Sequence, residues 1–346
     1  MGRRASHERR GRRRAALALA SRAAWLRLMA AALLASTIGL AYGQTARVEI
    51  LPFMSTTLTD SEFLRDGKGG REVMIAGELR LPKGHDEKFP AVILLHGSGG
   101  LGGTGSLIDE WSRELNQLGV ATFAVDSFAG RGIISTLMDQ TQLGRLNMVV
   151  DAYRGLEVLA KHTRIDPTRI AVMGFSRGGQ SALYSAMTRL YQAKGPSNGL
   201  RFAAHIAFYP DCMTVYRNDT DVTGAPIRIL HGAADNYDPI APCRDYVGRL
   251  LAAERDVKLI EFPDAQHAFD STALKTPVVL KDAPTVRHCH LIEGSDSTIL
   301  NSETKAPFSY SDSCVERGPT LAFNEAAYTQ AHAFIQQFLK ALFLLK

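Results

Sequence analysis

No stretch of this 346-residue chain is long and apolar enough to read as a membrane span; Leu28 to Leu40, which comes nearest, is short and rich in alanine. No internal repeat is visible, which excludes solenoid and propeller architectures. The glycine-rich run His96-Gly97-Ser98-Gly99-Gly100 is not followed by Lys-Ser/Thr, so it does not read as a phosphate cradle. His288-Cys289-His290 puts two imidazoles on one side of an extended segment, but no second pair of ligands stands nearby to close a metal site. The expectation is a chain that needs neither metal nor cofactor.

A real excess of positive charge is also missing from the folded part. Residues 1–43 hold nine of the 40 Lys+Arg and one of the 35 Asp+Glu, which leaves 31 basic and 34 acidic residues, a net charge near −3. The formal +5 thus comes from the N-terminal head, and nothing points to a nucleic-acid partner. That head runs from Arg3, Arg4, Arg9, Arg10 and Arg12 to Arg14 through the apolar run to Ala41-Tyr42-Gly43. Basic region, apolar region and small residues at the end are the order of a secretory signal. An Arg-rich organelle presequence is the competing reading, and a twin-arginine export signal lacks a clean motif. The expectation is a signal peptide over 1–43, a folded domain over 44–346, a periplasmic or secreted location and no stable membrane anchor after signal removal.

Four cysteines, Cys212, Cys243, Cys289 and Cys314, all fall in the folded part. An even count in an exported chain favours disulfides, and four cysteines permit three pairings. The favoured pairing joins Cys212 to Cys243, which follow neighbouring predicted strands, and Cys289 to Cys314 inside one polar segment.

Apolar β-rich runs alternate with helical patterns, which predicts an α/β fold: a mostly parallel sheet with helices on both faces. The predicted strands are Val73 to Leu81 (early and antiparallel), Ala91 to Leu95, Val120 to Val125, Ile170 to Met173, Ala203 to Phe208, Ile227 to Leu230 and Val257 to Phe262. The predicted helices are Ser106 to Leu118, Leu146 to His162, Gln180 to Leu190 and Asn324 to Leu344. Asp270 to Thr320 lacks periodicity and is rich in Ser and Thr; it reads as a polar insertion, either a lid or a disulfide-pinned excursion, with a surface excursion that takes no part in the chemistry as the favoured reading.

The chemistry-bearing motif is Gly174-Phe175-Ser176-Arg177-Gly178, entered from a strand and left by a helix. Such an elbow lifts a serine hydroxyl clear of the backbone, and the helix start offers unpaired N–H groups to an oxyanion. A serine needs a base held by a carboxylate. Asp235 lies in the loop after the Ile227 to Leu230 strand, with Asp238 as its competitor, and His267 lies after the Val257 to Phe262 strand. The order Ser, Asp, His along the chain suits this arrangement. His205 reads as a core residue and His231 as a support for its loop. The candidate oxyanion donors are the backbone N–H groups of Arg177 and Ser98, with Gly97 or Gly99 as alternatives to Ser98. Arg131 is a candidate for binding a substrate carboxylate, with a structural ion pair to Asp126 or a neighbour as the other reading.

With these motifs, Asp126-Ser127-Phe128-Ala129-Gly130-Arg131-Gly132, Tyr209-Pro210-Asp211-Cys212 and His267-Ala268-Phe269-Asp270, the chain from about Val73 to Leu344 resembles the α/β-hydrolases and, within them, the dienelactone hydrolase family. The resemblance implies a hydrolase acting on a small-molecule ester or lactone. Two departures stand out. The founding dienelactone hydrolases use a cysteine nucleophile where this chain has Ser176, and a glutamate where it has Gly97. Both favour a more ordinary serine ester hydrolase over a ring-specific lactonase. A serine peptidase shares the fold, but no peptide-selecting domain is visible here; a non-catalytic binding protein would be expected to lack a triad member. Oligomeric state is not legible.

Overall fold

The computed structural model describes residues 45–84, 88–103 and 107–345; the expected signal peptide lies outside them. The chain runs through β1 (Thr45–Thr57), α1 (Asp60–Arg65), β2 (Arg71–Pro82), β3 (Phe89–Leu95), α2 (Leu107–Gln117), β4 (Ala121–Asp126), α3 (Asn147–Lys161) and β5 (Ile165–Phe175). Then come α4 (Arg177–Tyr184), α5 (Thr188–Lys194), β6 (His205–Phe208), the short β7 (Thr214–Val215), β8 (Ile227–Gly232), α6 (Ile240–Ala252) and β9 (Val257–Phe262). One eight-stranded sheet has the order β1-β2-β4-β3-β5-β6-β8-β9. β2 is antiparallel to both β1 and β4, and from β4 to β9 the neighbours are parallel.

The central strands are continuous apolar runs because both of their faces are covered. Along β3, Ala91, Ile93 and Leu95 point into one core, while Val92 and Leu94 point into the other. The first core takes Val149, Tyr153 and Leu156 of α3 and Tyr246 and Leu250 of α6. The second takes Trp111 and Leu115 of α2 and Ile335 and Leu339 of the C-terminal helix α7 (Glu325–Phe343). The parallel strands deliver their carboxyl ends to one edge, where ligand sites form in such sheets.

Three expectations need correction. The predicted single helix from Gln180 to Leu190 is two helices, α4 and α5. Ser185 breaks it: its hydroxyl donates back to the Ala182 carbonyl at 2.8 Å and lies 2.9 Å from His205 Nδ1, satisfying polar groups that would otherwise favour continuation. The 270–320 segment is not structureless. It folds as paired short strands: β10 (Val278–Val279) with β15 (Thr320–Leu321), β11 (Pro284–Thr285) with β14 (Glu316–Arg317), and β12 (Leu291–Glu293) with β13 (Ile299–Asn301). β12 also pairs in parallel with β7, and the buried Glu293 carboxylate accepts from both Arg189 and Arg217, so the insertion is fastened to the main body. Strands of two or three residues are too short to show a period. Finally, β1 and α6 were not anticipated. β1 is an edge strand that leaves Val48, Ile50 and Met54 exposed, so it shows no clean alternation.

Both expected disulfides are present, Cys212–Cys243 and Cys289–Cys314. The first spans 31 residues and joins the loop after β6 to α6. In the chain-entropy account a closure of that length stabilises by roughly 3–4 kcal/mol. We expect Cys212→Ser/Cys243→Ser to lower the unfolding free energy by about that amount in urea titration, with a larger m-value because the freed unfolded chain exposes more surface. A loss below about 1 kcal/mol would show that the bridge does not restrain the unfolded chain as this account requires.

Candidate active site

β5 ends in the elbow. Ser176 sits at φ 53°, ψ −119°, a conformation that only strongly packed surroundings hold. The turn is tight enough that glycines are needed on both sides of it. A Cβ on Gly174 would lie 2.0 Å from the Gly178 carbonyl oxygen, and one on Gly178 would lie 2.2 Å from that of Leu95. The elbow is therefore packed directly on the end of β3. Arg177 opens α4, where the first N–H groups have no intrahelical acceptor.

The loop after β8 supplies Asp235 and the loop after β9 supplies His267. The Ser176 Oγ is 2.9 Å from His267 Nε2, and His267 Nδ1 is 2.8 Å from Asp235 Oδ2. The other oxygen of Asp235 accepts from the backbone N–H groups of Tyr237 (2.8 Å) and Asp238 (3.0 Å). The imidazole packs against the rings of Tyr209 and Tyr237, with centroids 4.7 and 4.8 Å away. Its loop is held from below by Asp270, which accepts from Trp111 Nε1 and from the Tyr209 hydroxyl. It is held from the side by β15, since the Ala322 N–H donates to the His267 carbonyl at 3.1 Å.

Burial alone disfavours a charged His267, but the carboxylates of Asp235, Asp238 and Asp270 outweigh it, and the net effect raises its pKa above the ordinary 6.5. Asp238, the competing carboxylate, also comes close to the imidazole. Its Oδ2 lies 3.8 Å from His267 Nδ1, too long for a hydrogen bond. Burial pushes its carboxyl well above the usual range, against the partial relief given by His267.

The loop after β3 lies against the nucleophile: a Cβ on Gly97 would come within 3.3 Å of the Ser176 Cβ. His96 braces this loop, with Nδ1 2.8 Å from the Gly97 carbonyl and Nε2 accepting from the Ser127 N–H at 3.2 Å. Gln140 links the two candidate oxyanion donors. Its Oε1 accepts from Arg177 Nη1 at 2.6 Å, and its Nε2 donates to Ser98 Oγ at 3.1 Å. Sequence reasoning missed Gln140, because nothing marks a glutamine that acts only through three-dimensional neighbours.

Arg131 is not placed to bind substrate. Its guanidinium is buried and makes a bidentate pair with Asp151, at 2.8 and 2.9 Å, with further bonds to Ser127, Thr57 and Thr56. Every edge of the fork is committed inside the protein, so this is a structural ion pair, formed with Asp151 rather than Asp126. His205 is a core residue whose pKa burial pushes down to about 4. His231 is buried with Nδ1 3.0 Å from the Gly232 carbonyl, inside its own loop. Cys289 is committed to its disulfide, which removes the sulfur of the His288-Cys289-His290 run.

Two cavities meet at Ser176. An apolar one is walled by Leu107, Ile108, Leu137, Phe175 and Leu321. A polar one is walled by Gln140, Arg145, Arg177, Gln180, Asp238 and Tyr310. Pro284, Thr285, Val286 and Tyr310 all reach the polar cavity from the 270–320 insertion. The insertion is thus a wall of the site and not a surface excursion.

A family model described as the dienelactone hydrolase family matches residues 75–283. A curated protein of Methylorubrum extorquens, provisionally named a carboxymethylenebutenolidase, is 27% identical over 254 residues, covering 66% of this chain and 81% of its own. Among solved structures, a dienelactone hydrolase-like promiscuous phosphotriesterase from metagenomic libraries is 16% identical, with a TM-score of 0.50, and the match covers 85% of this chain and 98% of that one. That likeness shows the shared fold. A thermophilic esterase of Thermogutta terrifontis aligns with a TM-score of 0.44 at 20% identity, over 56% of this chain and 79% of that one.

Proposed function

The chain belongs to the dienelactone hydrolase family and is a carboxylic ester hydrolase, and on that basis we propose that it cleaves esters or lactones through an acyl-enzyme on Ser176, in the periplasm or outside the cell. The observation that carries the reading is the continuous relay from Ser176 Oγ to His267 Nε2 and from His267 Nδ1 to Asp235. His267 takes the hydroxyl proton as the serine oxygen attacks the carbonyl carbon. The oxyanion that forms accepts from the N–H groups of Arg177 and Ser98, whose loops Gln140 ties together. The C–O bond to the leaving alcohol then breaks, and His267 gives that oxygen its proton. Water repeats the sequence on the acyl-enzyme and releases the acid. Asp235 keeps the imidazole in the tautomer with Nδ1 protonated and supports its charge. Two disulfides support an oxidising compartment.

The test is turnover of p-nitrophenyl esters, lactones and peptide anilides by the purified protein. Ester or lactone hydrolysis is expected and anilide hydrolysis is not; activity confined to anilides would overturn the proposal. The pH profile has a sign. His267 must be neutral to act as base, and its pKa is raised. kcat/KM should therefore fall on acidification, with a midpoint above 6.5. An acid limb centred below that value would contradict the assigned base.

A further inference from the structure

The two cavities at Ser176 differ in chemistry, and the polar one continues outward. Gln140, Arg145 and Tyr310 also line a larger outer cavity, completed by Asp60, Thr298, Pro307, Phe308 and Ser309. Both the polar and the outer spaces are open to solvent.

Their cations are engaged only in part: Arg177 Nε has no hydrogen-bond partner among the described residues. Arg145 donates from Nη1 to Asp211 at 2.9 Å and from Nη2 to the Tyr310 hydroxyl at 3.0 Å. Arg177 donates from Nη1 to Gln140 and from Nη2 to the carbonyls of Gly144 (3.1 Å) and Leu143. An alkyl group would leave the wall's open donors buried and unpaired. The carboxyl of Asp238 likewise makes no side-chain hydrogen bond among the described residues and lines the polar cavity. Asp211, Asp235, His267 and Arg145 are the charged groups that bear on it, and burial favours its protonated form, a donor. In the outer cavity the rings of Phe308 and Tyr310 meet edge to face at 5.2 Å, and the Arg145 guanidinium lies over both. Such a wall offers donors, acceptors and flat apolar faces together.

Resting on the ester-hydrolase reading above, we propose that the substrate has two unlike halves: a hydroxyl-rich group of sugar or polyol type in the polar and outer cavities, and an apolar group in the cavity walled by Leu107, Ile108 and Leu321. A hydroxyl both donates and accepts, so such a group can pair with the open donors and the open acceptors of the wall alike.

The test is kcat/KM on two matched series. In one, a fixed short acyl group is joined to a sugar, to an alkyl alcohol or to an alcohol bearing a carboxylate. In the other, a fixed alkyl alcohol esterifies a polyhydroxy acid or its plain alkyl counterpart. In one of the two series the hydroxylated member should be preferred by about 100-fold or more. Tyr310→Phe and Phe308→Ala should each cut that preference by about tenfold, mainly through KM. Equal rates in both series, or a preference for the carboxylate-bearing ester, overturns the inference while stoichiometric fluorophosphonate labelling of Ser176 leaves the ester-hydrolase reading standing. Failure of that labelling, with no ester turned over, removes both.

Discussion

Ser176→Ala is expected to reduce ester turnover by about 10⁴- to 10⁶-fold, with a folded protein as the product. The reason lies in how narrowly the function rests on one atom. The Oγ is 2.9 Å from His267 Nε2, and among the described residues no other hydroxyl is placed in that relay. The backbone at Ser176 has a positive φ, and alanine meets the same steric cost there as serine, so the substitution adds no new strain. What remains are the N–H groups of Arg177 and Ser98 and the binding cavities, which account for a small residual rate. Wild type should take up one equivalent of a fluorophosphonate probe, mapped by peptide mass to Ser176, and the variant none. Thermal unfolding by circular dichroism separates loss of chemistry from loss of fold. Labelling of a different serine, or a variant that retains activity within tenfold of wild type, would show that the nucleophile lies elsewhere.

The parts of this molecule that could be read in the sequence are those where local pattern and tertiary role coincide. β3 and the second half of β5, from Ile170 on, are buried on both faces, so each is an unbroken apolar run, and each ends in a glycine-bearing loop that the close packing of the two strand ends requires. The loops after β8 and β9 could be located because a parallel sheet sends all its carboxyl ends to the same edge. The rest failed for physical reasons. β1 lies at the sheet edge and leaves apolar side chains exposed. The helix α4 stops where Ser185 bonds back to Ala182, a competition no periodicity reveals. Arg131 has the charge for a substrate contact, yet its partner Asp151 sits on α3, and only the folded chain brings the two together. Arg145 and Tyr310 meet across 165 positions, so the polar wall of the site leaves no trace in any short motif. The insertion was misjudged for the same reason: composition marked it as polar, but its place beside Ser176 depends on short strand pairings and on the Cys289–Cys314 bridge.

Asp235→Asn is expected to lower kcat by about 10⁴-fold, while Asp238→Asn lowers it by no more than about tenfold on a p-nitrophenyl ester. The two carboxyls are three positions apart and both lie near His267, so the difference must come from geometry. One oxygen of Asp235 is fixed by two backbone donors, the N–H groups of Tyr237 and Asp238. An asparagine at this position keeps those bonds only by turning its carbonyl oxygen toward them, which aims its amide N–H₂ at His267 Nδ1. The imidazole then has to accept at Nδ1 and carry its proton on Nε2, where it faces Ser176 and has no lone pair with which to take the hydroxyl proton. The charge that supports the imidazolium disappears as well, so the acid limb of the pH profile should move down. Asp238 lies 3.8 Å from Nδ1 and forms no such bond, so its removal leaves the tautomer as it is. Measured kcat values, fluorophosphonate labelling rates and pH profiles of the two variants decide between the carboxyls, and the reverse ranking would reassign the acid to Asp238.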